Sequence, residues 1–288
     1  MFGEFPDKFP DGQVRYFYLD IKRMATEFAP GIEVPLRPFP GTIGVARAEP
    51  GKYSTVPPGR FGGNMDIREL VEGTTLYLPV FVPGALLWSG DSHAAQGNGE
   101  VNLTALETAF KELSLTVEVL KGKSLEWPRI ETRRHWITMG YDKDLNVAHE
   151  VLKSETIRFL AEQRKIPPTR AETVMRKASD CRIAEVVNVS KGVYCMNPKD
   201  TAVSTIPARP RKETPRYFVT WSEDADLNVA MDTASMAMIE LLQERKGLSR
   251  LDAYSLASMT MDCRLGDLSV QTRRVHCLVP KSLWITTN

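Results

Sequence analysis

Apolar residues recur at three- and four-residue spacing at Ala230, Ala234, Ala237, Met238, Leu241 and Leu242. This predicts a long helix, Leu227–Lys246, with one buried face. A matching helix is predicted over Leu145–Arg164, and each opens behind acids suited to its positive end: Asp142 and Asp144, then Asp224 and Asp226. Strands over Arg134–Thr138 and Tyr217–Trp221 lead into these helices. Short helices over Arg170–Ala178 and Arg250–Met259 follow, then two strands ending in Pro-Lys. Upstream the period changes to two. Thr74–Val82 is β-branched and aromatic, Ala85–Trp88 continues it after Pro83-Gly84, and Leu113–Leu120 alternates apolar with polar residues as a half-buried strand does. The first 58 residues hold nine of the nineteen prolines and read as irregular loop.

The shared grammar of the two helical segments reflects internal similarity. Shifting the chain by 82 positions aligns Glu131–Lys199 with Glu213–Lys281 without a gap, with 21 of 69 positions identical. Such self-similarity reads as a tandem duplication. The predicted fold is therefore α+β, a β-rich N-terminal part followed by a tandemly duplicated α/β module. Its divisions are residues 1–125, 126–199 for the first repeat, 200–212 as a Pro-rich basic linker, and 213–288 for the second repeat. Neither repeat shows a catalytic cluster of its own. Cys181 and Cys195 correspond to Cys263 and Cys277, and are expected to be small buried packing residues rather than catalytic or bonded ones.

Composition narrows the function classes. Thirty-seven basic against 36 acidic residues leave a net charge of +1, interspersed along the chain, with no footprint for nucleic acid. The most apolar run, Leu76–Trp88, is broken by Pro79, Pro83 and Gly84, too short for a membrane helix. The opening residues carry acids and prolines where a signal peptide is apolar, so a cytoplasmic location is expected.

Candidate chemistry concentrates in Ser89–Asn102, SGDSHAAQGNGEVN, read as a glycine-punctuated loop following an apolar strand. Asp91 and His93 stand two apart and in extended backbone project to one side, where a carboxylate oxygen and an imidazole nitrogen suit a divalent ion. Glu100, beyond Gly97 and Gly99, is placed to return as a third ligand or as a general base. The competing reading is an Asp–His hydrogen bond inside a loop. A second rigid segment, Ser54–Asp66, presents Arg60, Asn64 and Asp66 to a polar substrate or behind a metal; its alternative is a turn whose Asx side chain satisfies its own backbone. His135, His149 and His276 are expected at exposed or packing positions. No G-x-S-x-G, phosphate-binding G-x-x-x-x-G-K-[ST], G-x-G-x-x-G or H-E-x-x-H motif occurs.

The blocks PFPGTIGVARAEPG, STVPPGRFGGNMDIRELVEGTTLYLPVFVPGALLWSGDSHAAQGNGEVN and DAYSLASMTMDCRLGDLSV resemble the acetamidase/formamidase family. That resemblance implies hydrolysis of a small linear amide such as formamide or acetamide, with a divalent metal, zinc, as activator. Asp91 and His93 fall on the family's G-D-x-H, as metal ligands. Gln96 and Glu100 fall on its Q-G-x-G-E; the catalytic role expected of Glu100, ferrying a proton to the departing ammonia, is inferred from its chemistry. Asn64 and Asp66 fall on its G-G-N-x-D, with Gln96 as substrate-binding or supporting groups. A small amide substrate is the implied partner, and a homo-oligomer is expected separately, through unpaired β edges that seek partners. Family members usually open with a further β-rich segment carrying a G-P-[IV]-x-V-E-G-A-x-P-G-D-like motif, which does not occur here. The alternative expectation is accordingly a noncatalytic or truncated member serving in binding or assembly.

Overall fold

A computed structural model describes residues 3–200, 210–266 and 273–285. The N-terminal part contains β1 (Leu19–Asp20), β2 (Ala25–Ala29), β3 (Ile32–Pro35), β4 (Phe39–Gly44), β5 (Gly62–Asn64), β6 (Thr75–Tyr77), β7 (Trp88–Ala95), β8 (Leu106–Glu107) and β9 (Arg129–Glu131). The first unit runs β10 (His135–Asp142), α1 (Leu145–Arg164), α2 (Pro168–Ala178), β11 (Asp180–Ile183) and β12 (Lys191–Pro198). The second repeats that order in β13 (Tyr217–Asp224), α3 (Leu227–Lys246), α4 (Arg250–Thr260), β14 (Asp262–Leu265) and β15 (Arg273–Pro280). Most of the expected linker, residues 201–209, lies outside the described residues.

The strands form three antiparallel sheets, ordered β1-β2-β3, β5-β4-β7-β8, and an eight-stranded sheet β13-β15-β14-β11-β12-β10-β9-β6. The long sheet joins the two units through β11 and β14, where Arg182 stands opposite Arg264, a residue 82 positions later. The helix starts meet as symmetrically. Asp144 and Asp226 cap α1 and α3 by accepting from Asn146 N and Asn228 N. Each cap also accepts from the other helix, Asn146 Nδ2 to Asp226 Oδ1 and Asn228 Nδ2 to Asp144 Oδ1, both at 2.8 Å. Helix α3 buries Ala230, Ala234, Met238 and Leu242 in the largest core cluster, with Leu241 packed against its edge.

Several sequence expectations need correction. The proline-rich opening is not simply loop, because Ala25–Ala29 and Ile32–Pro35 pair around a turn at Gly31, whose φ of 76° suits glycine. Of Thr74–Val82 only Thr75–Tyr77 is strand, and of Ala85–Trp88 only Trp88 is, Ala85 and Leu86 lying in a turn. Leu113–Leu120 forms no strand; Val117 and Val119 are 68% and 69% exposed. Period-two alternation predicts a half-buried strand only if a sheet edge and an apolar face receive it, and none in the described chain does.

The cysteines are also corrected. They are buried as expected, but Cys181 bonds Cys195 and Cys263 bonds Cys277. The cause is register: each pair lies directly opposite across an antiparallel ladder, β11 to β12 and β14 to β15. Closing a loop of 14 residues' separation stabilises by about 3 kcal/mol in the chain-entropy account. Unreduced protein unfolded in guanidinium is therefore expected to show no free thiol to a thiol reagent, and Cys181→Ala/Cys195→Ala to lose about that stability. Four thiols titrating without reductant would refute the bonds.

Candidate active site

His93 lies near the end of β7, its ring fully enclosed and packed edge-on against Phe39. The segment expected as loop is thus strand as far as Ala95, and the turn begins at Gln96. Around the ring sit Asp66, just beyond β5, Asp91 on β7, Glu100 after the glycine turn and Glu107 on β8, which pairs directly with His93. Asp66, His93 and Glu100 offer ligand atoms all within 4.8 Å of one another and are buried. Asp91, His93 and Glu107 form a second such group, more open to solvent. The structure thus brings Asp66 forward, from an expected supporting place to a possible ligand.

Asp66, Asp91 and Glu100 share a backbone peculiarity, φ values of 50°, 55° and 47°. Left-handed conformations cost roughly 1–3 kcal/mol for a residue with a Cβ, and such strain gathers at functional sites. The close approach of the neighbouring strand requires Gly41. A Cβ there would meet Asp66 Oδ1 at 2.8 Å and His93 Nε2 at 2.9 Å. Gly41→Ala is expected to weaken zinc affinity at least about 10-fold, the scale seen when groups supporting a ligand shell are disturbed. Chelator-competition titration measures this, and unchanged affinity would show that the two side chains need not hold their spacing.

Hydrogen bonds fix the ring's orientation. Nδ1 is 2.8 Å from Gln96 Oε1, and Gln96 Nε2 donates to the Asp66 carbonyl at 3.2 Å. Nε2 faces Asp91 Oδ1 at 3.0 Å. Thr42 Oγ1 bridges Asn64 Oδ1 and Asp91 Oδ2, so Asn64 supports Asp91 from behind. Arg60 does not join the site; it is exposed and donates to the Glu126 carbonyl. The other three histidines, His135 on β10, His149 on α1 and His276 on β15, belong to neither ligand group among the described residues.

The electrostatics of this pocket call for a cation. Burial, then the charges of Glu185, Asp91 and Glu107, push the Asp66 carboxyl well above the usual carboxylate range. Burial and Asp66 do the same to Glu100. Burial works to lower the His93 value, but the Asp91 hydrogen bond and the charges of Glu100 and Asp91 outweigh it and raise it. Both ring nitrogens confront oxygens, which demands either an imidazolium or a cation beside one nitrogen. Asp66 Oδ1 is buried without a hydrogen-bond partner and stands 3.9 Å from His93 Nδ1. Oxygens plus one imidazole fit a divalent ion of borderline hardness such as zinc or manganese.

Sequence reasoning missed Glu107, Glu185 and Asn188. Asn188 Nδ2 lies 2.5 Å from Asp66 Oδ2 and 3.5 Å from Glu100 Oε2, and Glu185 is fully buried beside them. The first unit therefore does reach the site. A usable signal was the comparison of copies, since Asn188 aligns with Val270. Behind the site, Arg68 joins Arg182, Arg264, Glu69, Asp180 and Asp262 in a buried ionic network, and Arg68 Nη1 reaches the Gln96 carbonyl at 3.5 Å.

Residues 48–271 match the profile of the acetamidase/formamidase family. The chain belongs to that family. An acetamidase of Mycolicibacterium smegmatis is 41% identical over 68 residues, which make up 24% of this chain and 17% of the relative. A crystal structure of an acetamidase from Bacillus halodurans superposes with a TM-score of 0.62 at 29% identity, covering 68% of this chain and 65% of that one. A gamma lactamase from Delftia acidovorans, 16% identical, covers 98% of this chain and 66% of its own with a TM-score of 0.53, a likeness of fold alone. The chain spans under two thirds of the length of each of these relatives. Its mixed architecture, with large antiparallel sheets and four α-helices among the described residues, is similar to that of the Bacillus halodurans acetamidase.

Proposed function

We propose that this acetamidase/formamidase family member hydrolyses a small linear amide, formamide or acetamide, to a carboxylate and ammonia. The buried Asp66–His93–Glu100 group carries the reading. Family relatives named acetamidase and formamidase supply the substrate class. A divalent ion held by Asp66, His93 and Glu100, or by Asp91, His93 and Glu107, would polarise the amide carbonyl and lower the pKa of water at the site. Zinc is the ion proposed.

The chain's own residues then perform the proton work. Whichever of Glu100 and Glu107 the ion leaves free, Glu107 for the first set and Glu100 for the second, accepts a proton as water adds to the amide carbon. The same carboxyl returns it to the departing nitrogen as the carbon–nitrogen bond breaks, so that water and amide leave as carboxylate and ammonium. Gln96 holds His93 through Nδ1, so Nε2, which faces Asp91, is the ring nitrogen that would be available to an ion. Asn64 keeps Thr42 and Asp91 in place.

The finer organisation is proposed on the same footing. The divisions 1–125, 126–199, 200–212 and 213–288 follow the repeated element order, and the Arg182–Arg264 register supports descent from a tandem duplication. Assembly with further copies of the chain is supported by the exposed apolar residues of 113–120. No helix among the described residues is long and apolar enough to cross a membrane. Cytoplasmic residence is compatible with the disulfides, whose cysteines are fully buried and out of a reductant's reach.

Ammonia release from formamide and acetamide, with metal content determined on the same purified sample, tests the reading. Turnover that follows zinc or manganese occupancy supports it. Folded, metal-loaded protein that releases no ammonia from either amide would assign the chain instead to a noncatalytic role.

A further inference from the structure

Asp66 follows β5 and Glu100 follows the glycine turn beyond β7, and buried carboxylates repel one another. A group that donates to both at once eases that repulsion. The described structure offers one from outside the β-rich part. Asn188 has acceptor oxygens on two sides, Asp66 Oδ2 at 2.5 Å and Glu100 Oε2 at 3.5 Å. Its amide nitrogen must face them, because an amide oxygen there would meet only acceptors. The two N–H bonds of one side chain thus span both carboxylates.

Asn188 is itself held firmly. Glu185 Oε2 accepts from Val187 N at 3.1 Å and from Asn188 N at 3.2 Å, closing a turn through its own side chain. The turn is laced to the segment that carries Glu100: Gly99 N donates to the Ala184 carbonyl at 2.9 Å, and Val186 N to the Gly99 carbonyl at 3.0 Å. Asn98 Nδ2 adds a bond to the Ile183 carbonyl at 2.5 Å. Glu185 stands outside both groups of candidate ligands.

We propose that Asn188, fixed by the Glu185 turn, is a positioning residue that sets the spacing of Asp66 and Glu100 and so tunes cation affinity from the first α/β unit. This rests on the reading of Asp66, His93 and Glu100 as ligands. Asn188 engages Asp66 Oδ2 and leaves the buried Oδ1 without a hydrogen-bond partner, the oxygen that would be open to an ion.

Zinc dissociation constants of the full-length, metal-stripped chain, measured by chelator competition with no amide present, test the proposal. Asn188→Ala is expected to bind zinc about 10–100-fold more weakly, the loss typical of an outer-shell partner. Should Asn188→Ala fail to fold, Asn188→Ser retains the backbone turn and a shorter donor, and a loss of about 3–10-fold is expected. A dissociation constant within 3-fold of the parent for whichever variant folds overturns the proposal. So does a parent chain that takes up neither zinc nor manganese. Tight zinc binding that weakens in the variant, in a chain inert towards amides, would leave the positioning role standing and remove only the amidase reading.

Discussion

His93→Ala is expected to strip the protein of zinc and to lower formamide turnover by at least about 100-fold, taking the upper end of the losses seen for mere outer-shell partners as the floor for a ligand. His93 belongs to both candidate ligand groups and brings the sole nitrogen to either. Its removal leaves Asp66 and Glu100 buried at 1% and 3% exposure with no imidazole beside them. Burial already drives both carboxyls upward in proton affinity, and the charge of His93 works against this at Glu100. Gln96→Ala, which frees the ring but keeps it, is the graded control and is expected to lose about 10–100-fold in affinity. Metal analysis and ammonia release on the same preparations decide the matter. A His93→Ala protein that keeps one zinc per chain and turns over within 10-fold of the parent would remove the site from consideration.

Arg182→Met should cost roughly 3–5 kcal/mol of stability at neutral pH, the penalty for stranding buried charges by removing their partner. Arg182 pairs with Asp180 at 2.6 Å and Glu69 at 3.2 Å, and approaches Asp262 at 3.7 Å. All four side chains are at most 15% exposed, so water replaces little of what is lost. For a chain of this size, the melting temperature is expected to fall by roughly 6–20 °C. The direction with pH follows from Asp262. Burial works to raise its carboxyl, but Arg68, Arg182 and Arg264 outweigh burial and hold it far below the usual range. A depressed value contributes stability above the unfolded pKa of about 3.9, and that contribution drains away as pH falls towards the folded value. The gap between parent and variant is therefore expected to narrow below about pH 4. Urea melts at pH 7 and pH 3.5 read this directly, and a variant within 1 kcal/mol of the parent at pH 7 would show the network to be energetically neutral.

What the sequence disclosed was what its local chemistry dictates. Both long helices fall where their Asp caps and apolar spacing place them, and Gly247 ends the second in the left-handed conformation that glycine favours. Asp91, His93, Gln96 and Glu100 were recoverable because ten residues of one strand and turn carry them all. Glu107 was not, since only the pairing of β7 with β8 puts it opposite His93. Glu185 and Asn188 were hidden for a stronger reason: about 90 residues separate them from Glu100, and sequence spacing carries no information about contacts that distant. The disulfides share that cause, because ladder register rather than spacing sets Cys181 opposite Cys195.

The ladder that sets Arg182 against Arg264, and the crossed caps of α1 and α3, have the form of an isologous dimer contact enclosed in one polypeptide. Two separate copies meeting this way would come apart on dilution, whereas partners on one chain keep a fixed effective concentration. A true dimer would also have to repeat every site residue. Here the two units are free to differ, and their sequences do: one carries Asn188, which lies beside the acids, where the other aligns a valine. Covalent linkage thus allows a symmetric scaffold to hold an asymmetric pocket at any protein concentration.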